Sequence, residues 1–269
     1  MTKIILASRH SGHATATPAI KSRLEEETED PEYIVVTDHK DEYDYSTKKL
    51  YNVPSFRPTG GKFYNPFSML KNFYKSWKIL RKEKPKKVVA YGANTSFPIG
   101  LLARIKGIEV IAVEAENRTR DPSMTPNELS RFGAKVWVSH DSLLEKYHSD
   151  KVENKHIIQF RSFEEHKNNE KTNDVLIIPS SNDPELQEKY WKDISHHEFL
   201  NLMGKTKTVV TRAGMTSFEA ANLAGKVIVR PYDHKHQENF AEWLEKEYEN
   251  VEVVKDKSFK ELVEQYEEA

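Results

Sequence analysis

Residues 208–240, TVVTRAGMTSFEAANLAGKVIVRPYDHKHQENF, hold the densest set of groups able to do chemistry in this chain. Two β-branched runs, 208–211 and 226–230, read as buried strands of a parallel sheet. Between them the chain turns at Ala213-Gly214 into a helix. The first N–H groups of such a helix, Met215 and Thr216 among them, have no helical partner and can hold phosphate. Glu219 sits one turn further on, within reach of a ribose on the same ligand. His236 and Gln237, in the loop Asp233-His234-Lys235-His236-Gln237, add polar groups after the next strand on the same sheet edge. Arg212 can meet diphosphate charge or form an ordinary salt bridge. Together these residues describe a nucleotide-sugar pocket. The spacing of Thr216-Ser217-Phe218-Glu219 also fits a capping box, with Glu219 reaching back to the helix N-cap.

The same stretch resembles the donor-binding half of GT-B glycosyltransferases. It is similar to the bacterial enzymes that add N-acetylglucosamine to the lipid-linked peptidoglycan precursor, and to the two-subunit eukaryotic enzyme acting on dolichyl diphosphate. Their pattern, [ST]-x-[AG]-G-x-x-[ST]-x-x-E followed by G-K-P-x-[IV] and a proline, is matched here by TRAGMTSFEAANLAGKVIVRP at Thr211, Ala213, Gly214 and Ser217, with Glu219 one residue ahead of the pattern's Glu, where Ala220 stands, and Val227 at the usual proline. The resemblance implies two Rossmann-like domains with parallel sheets facing a cleft, joined in one chain. It implies an inverting transfer of a sugar, N-acetylglucosamine, from a UDP-sugar to a polyprenyl-phosphate-linked acceptor at the cytoplasmic membrane face. It assigns Glu219 to the ribose, and His236 and Gln237 to the sugar. A sugar-nucleotide 2-epimerase of the same fold and a non-catalytic sugar-nucleotide-binding subunit stay open beside it.

Two loops of the first half carry the acceptor side of that resemblance. Ser8-Arg9-His10-Ser11-Gly12-His13 is similar to the glycine-rich loop of these families, with Gly12 as its one glycine, and His13 is the expected general base. His10 and His13 fit equally a loop that caps the next helix beside Thr17-Pro18. Gly92, Asn94 and Thr95 lie in a strand-to-helix turn where an anion can rest, although Asn94 and Thr95 also suit helix capping. Glu114 ends a strand of the matching acceptor pattern, with Arg118 four residues on. Glu114 is expected as a catalytic group beside His13, and Arg118 at the acceptor, with an ion pair to Arg118 or Arg120 as the plain alternative for Glu114.

These loops need a scaffold, and the chain alternates strand-like and helix-like stretches as a doubly wound α/β fold requires. Runs 3–7, 33–37, 87–91, 109–113 and 135–139 read as strands, and 18–27, 67–82, 99–106 and 126–132 as helices. A second alternating series starts at Val175. Charge-rich, aperiodic residues 163–173 read as a linker, giving an acceptor domain over 1–165 and a donor domain over 174–269. The donor domain is short, and its first loop, IIPSSNDPE, lacks the family's glycines.

Composition narrows the classes further. Charged residues make up 31% of 269 and mean hydropathy is −0.74, with no apolar run near the roughly 20 residues of a membrane span. The chain has no cysteine, so disulfides, thiol nucleophiles and cysteine metal sites are excluded. A cytoplasmic protein is expected. Residues 62–87 hold nine Lys or Arg against one Glu, and 241–269 hold ten Asp or Glu against four Lys. In the helix over 67–82, Leu70, Phe73, Tyr74, Trp77 and Leu80 form an apolar stripe, expected to face the domain core. Lys71, Lys75, Lys78 and Lys82 lie off it and suit approach to an anionic membrane surface. No recognition motif accompanies these lysines, so nucleic acid is not an expected partner. No metal is expected either: Asp41-Glu42-Tyr43-Asp44 lies in a polar loop, and His196-His197 and His234-x-His236 have few partners in sequence.

Overall fold

The computed structural model describes residues 2–9, 16–38, 47, 49–56, 65–92, 94–160, 163–180, 183–190 and 194–267. The chain divides into two compact units, Met1–Arg161 and Ser162–Ala269.

The first unit is built on seven parallel strands: β1 (Thr2–Ser8), β2 (Pro31–Thr37), β3 (Lys49–Asn52), β4 (Lys87–Tyr91), β5 (Glu109–Val113), β6 (Lys135–Val138) and β7 (Val152–Asn154). Their order is β3-β2-β1-β4-β5-β6-β7. Continuous apolar runs such as IILA in β1 and VVAY in β4 are what a parallel sheet covered on both faces demands. One face, with Ile4, Leu6, Val35, Val89 and Ile111, packs on Ala19, Ile20 and Leu24 of α1 (Thr17–Glu27). The opposite face, with Ile5, Val36, Val88, Ala90 and Ala112, meets α2 (Pro66–Glu83), α3 (Phe97–Ile105) and α4 (Met124–Arg131) through Ile79, Ile99 and Leu129. Strand order reverses between β1 and β4, and open α/β sheets bind ligands at the carboxyl ends around such a point.

The second unit has four parallel strands, β8 (Asn173–Ile178), β9 (Thr206–Thr211), β10 (Lys226–Val229) and β11 (Val251–Val253), in the order β11-β10-β9-β8. Ile177, Val210 and Ile228 pack on Phe259, Leu262 and Val263 of α9 (Phe259–Glu267), with Leu186 and Tyr190 of α5 (Pro184–Tyr190) alongside. The remaining helices are α6 (His196–Gly204), α7 (Met215–Leu223) and α8 (Lys235–Glu247). Val227, where the resembled pattern has proline, is fully buried and pairs with Val209 and Val251.

Three expectations need correction. Residues 163–173 are not a linker but the opening of the second unit. Phe163 is buried edge-on against Phe218, and the Lys171 ammonium donates to the carbonyls of Gly204 and Leu223 at 2.7 and 2.6 Å. A polar sequence hid a segment held by specific bonds. Helix α1 starts one residue early, with Thr17 inside it and Ala16 at the N-cap, so Thr17 is no cap.

The third correction concerns α2, which points its apolar stripe outward. Phe67 is 81% and Leu70 63% exposed, with Tyr74 and Trp77 also exposed; only Leu80 of the stripe's five residues is in the core. The helix buries polar Asn72, Ser76 and Glu83 instead. Each is satisfied there. Asn72 Nδ2 donates to the carbonyls of Pro54 and Thr95 at 2.8 and 3.2 Å, and Ser76 Oγ donates to Asn72 Oδ1 at 2.9 Å. Glu83 accepts from Tyr51 at 2.5 Å, Lys49 at 3.0 Å and Lys3 at 3.4 Å. Burial alone would raise the Glu83 pKa, but these three donors outweigh it and hold the group at about 2. Hydrogen-bonded polar groups can occupy a core that hydrophobic periodicity assigns to the other face.

Candidate functional site

In the second unit the register aligns the carboxyl ends of all four strands: Ile178 lies beside Thr211, Thr211 beside Val229, and Val229 beside Val253. The loops that follow therefore share one edge. After β9 the chain runs through Arg212 and Ala213 to Gly214, the N-cap of α7. Gly214 is fully extended at φ 174°, a conformation open to any residue. A Cβ added there would meet nothing within 4 Å, so the space over this helix start is open. Met215 and Thr216 supply the first helical N–H groups.

Ser217, not Glu219, is the third helical residue, and its hydroxyl accepts from the Gly214 N–H at 3.0 Å. The capping box expected over 216–219 does not form. Glu219 falls at the fifth position, is 3% exposed, and has an oxygen 3.6 Å from His196 Nε2 on α6. A carboxylate in that setting needs a reason other than capping.

Arg212 is engaged within the unit. Its guanidinium forms a two-pronged bond to Asp183, Nε to Oδ2 at 3.1 Å and Nη2 to Oδ1 at 2.7 Å. It also lies over the rings of Tyr232 and Phe259, at 4.0 and 4.3 Å from their centroids. The Tyr232 hydroxyl donates to Asp183 at 2.7 Å and the Ser180 N–H at 3.2 Å. Burial would raise the Asp183 pKa, yet the bonds from Arg212 and Tyr232 and the charge of Arg212 bring it below the ordinary value. This network ties the loops after β8, β9 and β10 together. Gln237, in the first turn of α8, accepts from the Tyr232 N–H at 3.0 Å and so sets the loop after β10. His236 stacks on His234 with ring centroids 6.0 Å apart. Asp183 and Tyr232 were not singled out from sequence; an acid after the strand 173–178 and an aromatic after Pro231 were their only signals.

In the first unit Gly12 and His13 lie outside the described residues. Gly92 follows β4 at φ 66°, where glycine is favoured, and its N–H donates to the Val113 carbonyl at 3.4 Å. Asn94 and Thr95 are buried in a short 3-10 turn before α3, whose N-cap is Ser96 without a side-chain cap. They do not cap that helix. Asn94 accepts from Ser55 at 3.4 Å, and Thr95 Oγ1 donates to Asp38 Oδ2 at 3.4 Å. Arg9 Nε stands 3.4 Å from the same Asp38 oxygen, and the Asp38 side chain is 3% exposed. The ends of β1, β2 and β4 thus meet in an Arg9–Asp38–Thr95 cluster at the reversal of strand order. Sequence reasoning missed Asp38, whose one signal was an acid closing the run TyrIleValValThr at 33–37.

Glu114 is held by protein donors on both carboxylate oxygens. It is 1% exposed, and its oxygens accept from Ala115 N at 2.7 Å, Ser123 N at 2.6 Å, Ser123 Oγ at 2.5 Å and Tyr147 Oη at 2.5 Å. Four donors fill the lone-pair sites of a carboxylate. Burial, with the Glu114 charge beside it, raises the Tyr147 pKa strongly. The geometry makes Glu114 the anchor of the loop 115–123. Arg118, half-buried, closes a turn onto the Ala115 carbonyl at 2.9 Å and places its charge near Tyr147. Glu116, also missed from sequence, is buried and accepts from the Tyr91 hydroxyl at 3.2 Å.

No protein-family model matches the chain. Its sequence is 30% identical over 133 residues to the UDP-N-acetylglucosamine–N-acetylmuramyl-(pentapeptide) pyrophosphoryl-undecaprenol N-acetylglucosamine transferase of Clostridium botulinum, covering 46% of this chain and 34% of that protein. The enzyme of the same name from Clostridium kluyveri is 32% identical over 142 residues, covering 46% and 39%. The chain spans less than half the length of the curated relatives it matches. Among solved structures, MurG of Acinetobacter baumannii aligns over 100% of this chain and 90% of its own, with a TM-score of 0.61 at 15% identity. The UDP-GlcNAc 2-epimerase of Neisseria meningitidis aligns over 99% and 91%, with a TM-score of 0.68 at 16% identity. The fold is of the GT-B type. Among the described residues, no helix is long and apolar enough to cross a membrane.

Proposed function

We propose that this protein is an inverting glycosyltransferase that moves N-acetylglucosamine from a UDP-sugar to a polyprenyl-phosphate-linked acceptor. The observation that carries the reading is Glu219, a buried carboxylate without a capping role, one turn behind an open helix start at the carboxyl edge of a parallel sheet. In this reading the N–H groups of Met215 and Thr216 face the diphosphate, a site where the partial positive charge of a helix start favours anions. Glu219 accepts from ribose hydroxyls, and His236 and Gln237 border the sugar. Arg212 supports these loops through Asp183 and contributes positive potential without direct contact. Gly12, Gly92, Asn94, Thr95 and Arg118 form the acceptor side. His13 serves as the base that takes the acceptor proton, with Glu114 holding the neighbouring loop. No metal is assigned to this reaction, because helix N–H groups can stabilise the leaving diphosphate.

The relatives at 28–32% identity are named as transferases, which favours transfer over epimerisation. The test is turnover of UDP-N-acetylglucosamine with and without a polyprenyl-phosphate-linked acceptor. UDP released only with acceptor is the expected result. Epimer formed without acceptor makes the protein an epimerase, and binding without either product makes it a binding subunit.

We also propose that α2 brings the protein to the cytoplasmic membrane surface. Phe67, Leu70, Tyr74 and Trp77 are exposed, with Lys78 over Tyr74 at 4.5 Å and Arg81 over Trp77 at 4.7 Å. Apolar rings edged by cations suit an anionic lipid interface. Liposome co-sedimentation checks this: binding to anionic vesicles that falls with salt, and falls further in Phe67→Ser with Trp77→Ser, is expected. Equal binding by parent and variant would place the contact elsewhere.

A further inference from the structure

Three metal-ligating side chains meet where the opening of the second unit lies against α6. Glu165 and His166 close the 3-10 turn Glu164–His166, and His197 is the second residue of α6. One ligand atom from each lies within 4.8 Å of the others. Glu165 Oε1 is 3.2 Å from His166 Nε2, and the rings of His166 and His197 meet edge-on with centroids 4.8 Å apart.

The second nitrogen of His166 gives this cluster its direction. His166 is buried, and its Nδ1 lies 2.8 Å from Asn201 Oδ1. An amide oxygen only accepts, so the bond places a hydrogen on Nδ1. In the neutral ring Nε2 then carries a lone pair, and it faces a carboxylate oxygen. Two acceptors at 3.2 Å repel unless a cation stands between them, either a proton on His166 or a metal ion. A proton on Nε2 accounts for the Glu165 and Asn201 contacts alike. A metal accounts for these and also for His197 at the same place, with Asn201 as the hydrogen-bond acceptor that orients a ligating histidine.

Distances fit an ion of the zinc class. Metal bonds of about 2.0–2.1 Å in a tetrahedral site set ligand atoms roughly 3.3 Å apart. The Glu165–His166 pair is already at that spacing. The 4.8 Å outer limit needs a closure of about 1.5 Å, which exposed Glu165 and His197 can supply by rotating toward fixed His166. The backbone beneath is tightly seated: a Cβ added at Gly204 would stand 1.9 Å from the His166 carbonyl oxygen, so α6 can approach the segment this closely only with glycine there. His197 and Asn201 are one helical turn apart on α6, and a capping box of Ser195 and Glu198 fixes the start of that helix.

We propose that Glu165, His166 and His197 form a divalent transition-metal site. Two imidazoles and a carboxylate suit Zn²⁺ and its congeners Co²⁺ and Ni²⁺ over Mg²⁺ or Ca²⁺, with the remaining position open to water. The bound ion clasps the 163–166 segment to α6 and stabilises the second unit. The site is independent of the transferase reading.

The experiment uses the untagged full chain, titrated with Zn²⁺ by calorimetry and with Co²⁺ by visible absorption. One ion per chain, a higher melting temperature with Zn²⁺, and a tetrahedral Co²⁺ spectrum are expected. Glu165→Gln and His197→Asn, both at exposed positions, should each weaken Zn²⁺ at least ten-fold while the metal-free melting temperature stays near that of the parent. A control, His234→Asn with His236→Asn, should bind as the parent does. The proposal is overturned if the parent binds no ion, if binding survives both site variants, or if it is lost in the control. A parent that binds nothing while Glu165→Gln melts earlier leaves only a Glu165–His166 ion pair.

Discussion

The carboxyl edges of the two sheets use the same materials differently. At the edge of the second sheet, the charged residues Arg212 and Asp183 bind each other and are ringed by Tyr232, Phe259 and Ser180, while the helix start at Gly214 has open space over it. At the edge of the first sheet, the carboxylate that looked chemical, Glu114, has four protein donors, and the charged cluster sits instead where strand order reverses, at Arg9, Asp38 and Thr95. Residue type alone therefore does not separate the group that holds a loop from the group that meets a ligand. For Glu114 the four donors around it do. A carboxylate with four donors has its lone-pair sites filled by the protein.

The largest expected effect tests the division of labour between the units. His13→Ala should lower kcat by roughly 10²–10⁴-fold, the range of a lost general base, with the Kd for UDP unchanged. Steady-state kinetics beside calorimetry separates the two. A matching loss of UDP affinity would break the assignment of His13 to the acceptor side.

Glu114→Gln comes next. The amide replaces an acceptor by a donor among four donors, and a buried mismatch of this kind costs about 3 kcal/mol, a factor of roughly 100 in the folding equilibrium. Urea denaturation should show that loss, and the residual folded enzyme should retain its UDP affinity. A variant as stable as the parent but inactive would return Glu114 to the chemistry.

Much of this was legible before the structure, for definite reasons. Buried parallel strands write themselves as β-branched runs, so β1, β4, β5, β8, β9 and β10 are readable, whereas edge strands of three or four half-buried residues, such as β3 and β7, are not. The strand, turn and helix of β9 and α7 were readable because a β-branched run, Ala213-Gly214 and a helical pattern follow each other directly. The role of Glu219 was not, since its fifth helical position instead of third depends on where α7 starts. Partners distant in sequence were illegible throughout: Arg212 with Asp183 are 29 residues apart, and Tyr147 with Glu114 are 33. The face of α2 was misread because periodicity registers apolar stripes and is blind to buried Asn72 and Glu83, whose partners come from other elements.

Glu219→Gln sharpens the other side of the comparison. Loss of one charged acceptor to a ribose costs about 1.4 kcal/mol, a roughly ten-fold weaker Kd for UDP. Calorimetry should report it with the melting temperature nearly unchanged. Unaltered affinity with a lower melting temperature would make Glu219 a partner of His196 and nothing more.

The smallest effect lies in the network around Arg212, and its signature is a pH dependence. Asp183 has a folded pKa below its unfolded value, which is near 3.9 for a free Asp. A depressed carboxylate contributes stability that is present above the unfolded value and is lost as pH falls through the folded one. Asp183→Asn should therefore be less stable than the parent at pH 7, and the gap should close as the solution is acidified below about pH 4, where the parent's carboxylate takes up a proton. Melting curves of both proteins from pH 7 to pH 3 measure that gap. UDP affinity should fall by less in this variant than in Glu219→Gln if, as proposed, Arg212 and Asp183 shape the loops without touching the nucleotide. If Asp183→Asn matched or exceeded Glu219→Gln in lost affinity, the guanidinium released from Asp183 would have to be a direct ligand of the diphosphate. The contrast drawn between bonded and open groups at this edge would then fail where it began, at Arg212.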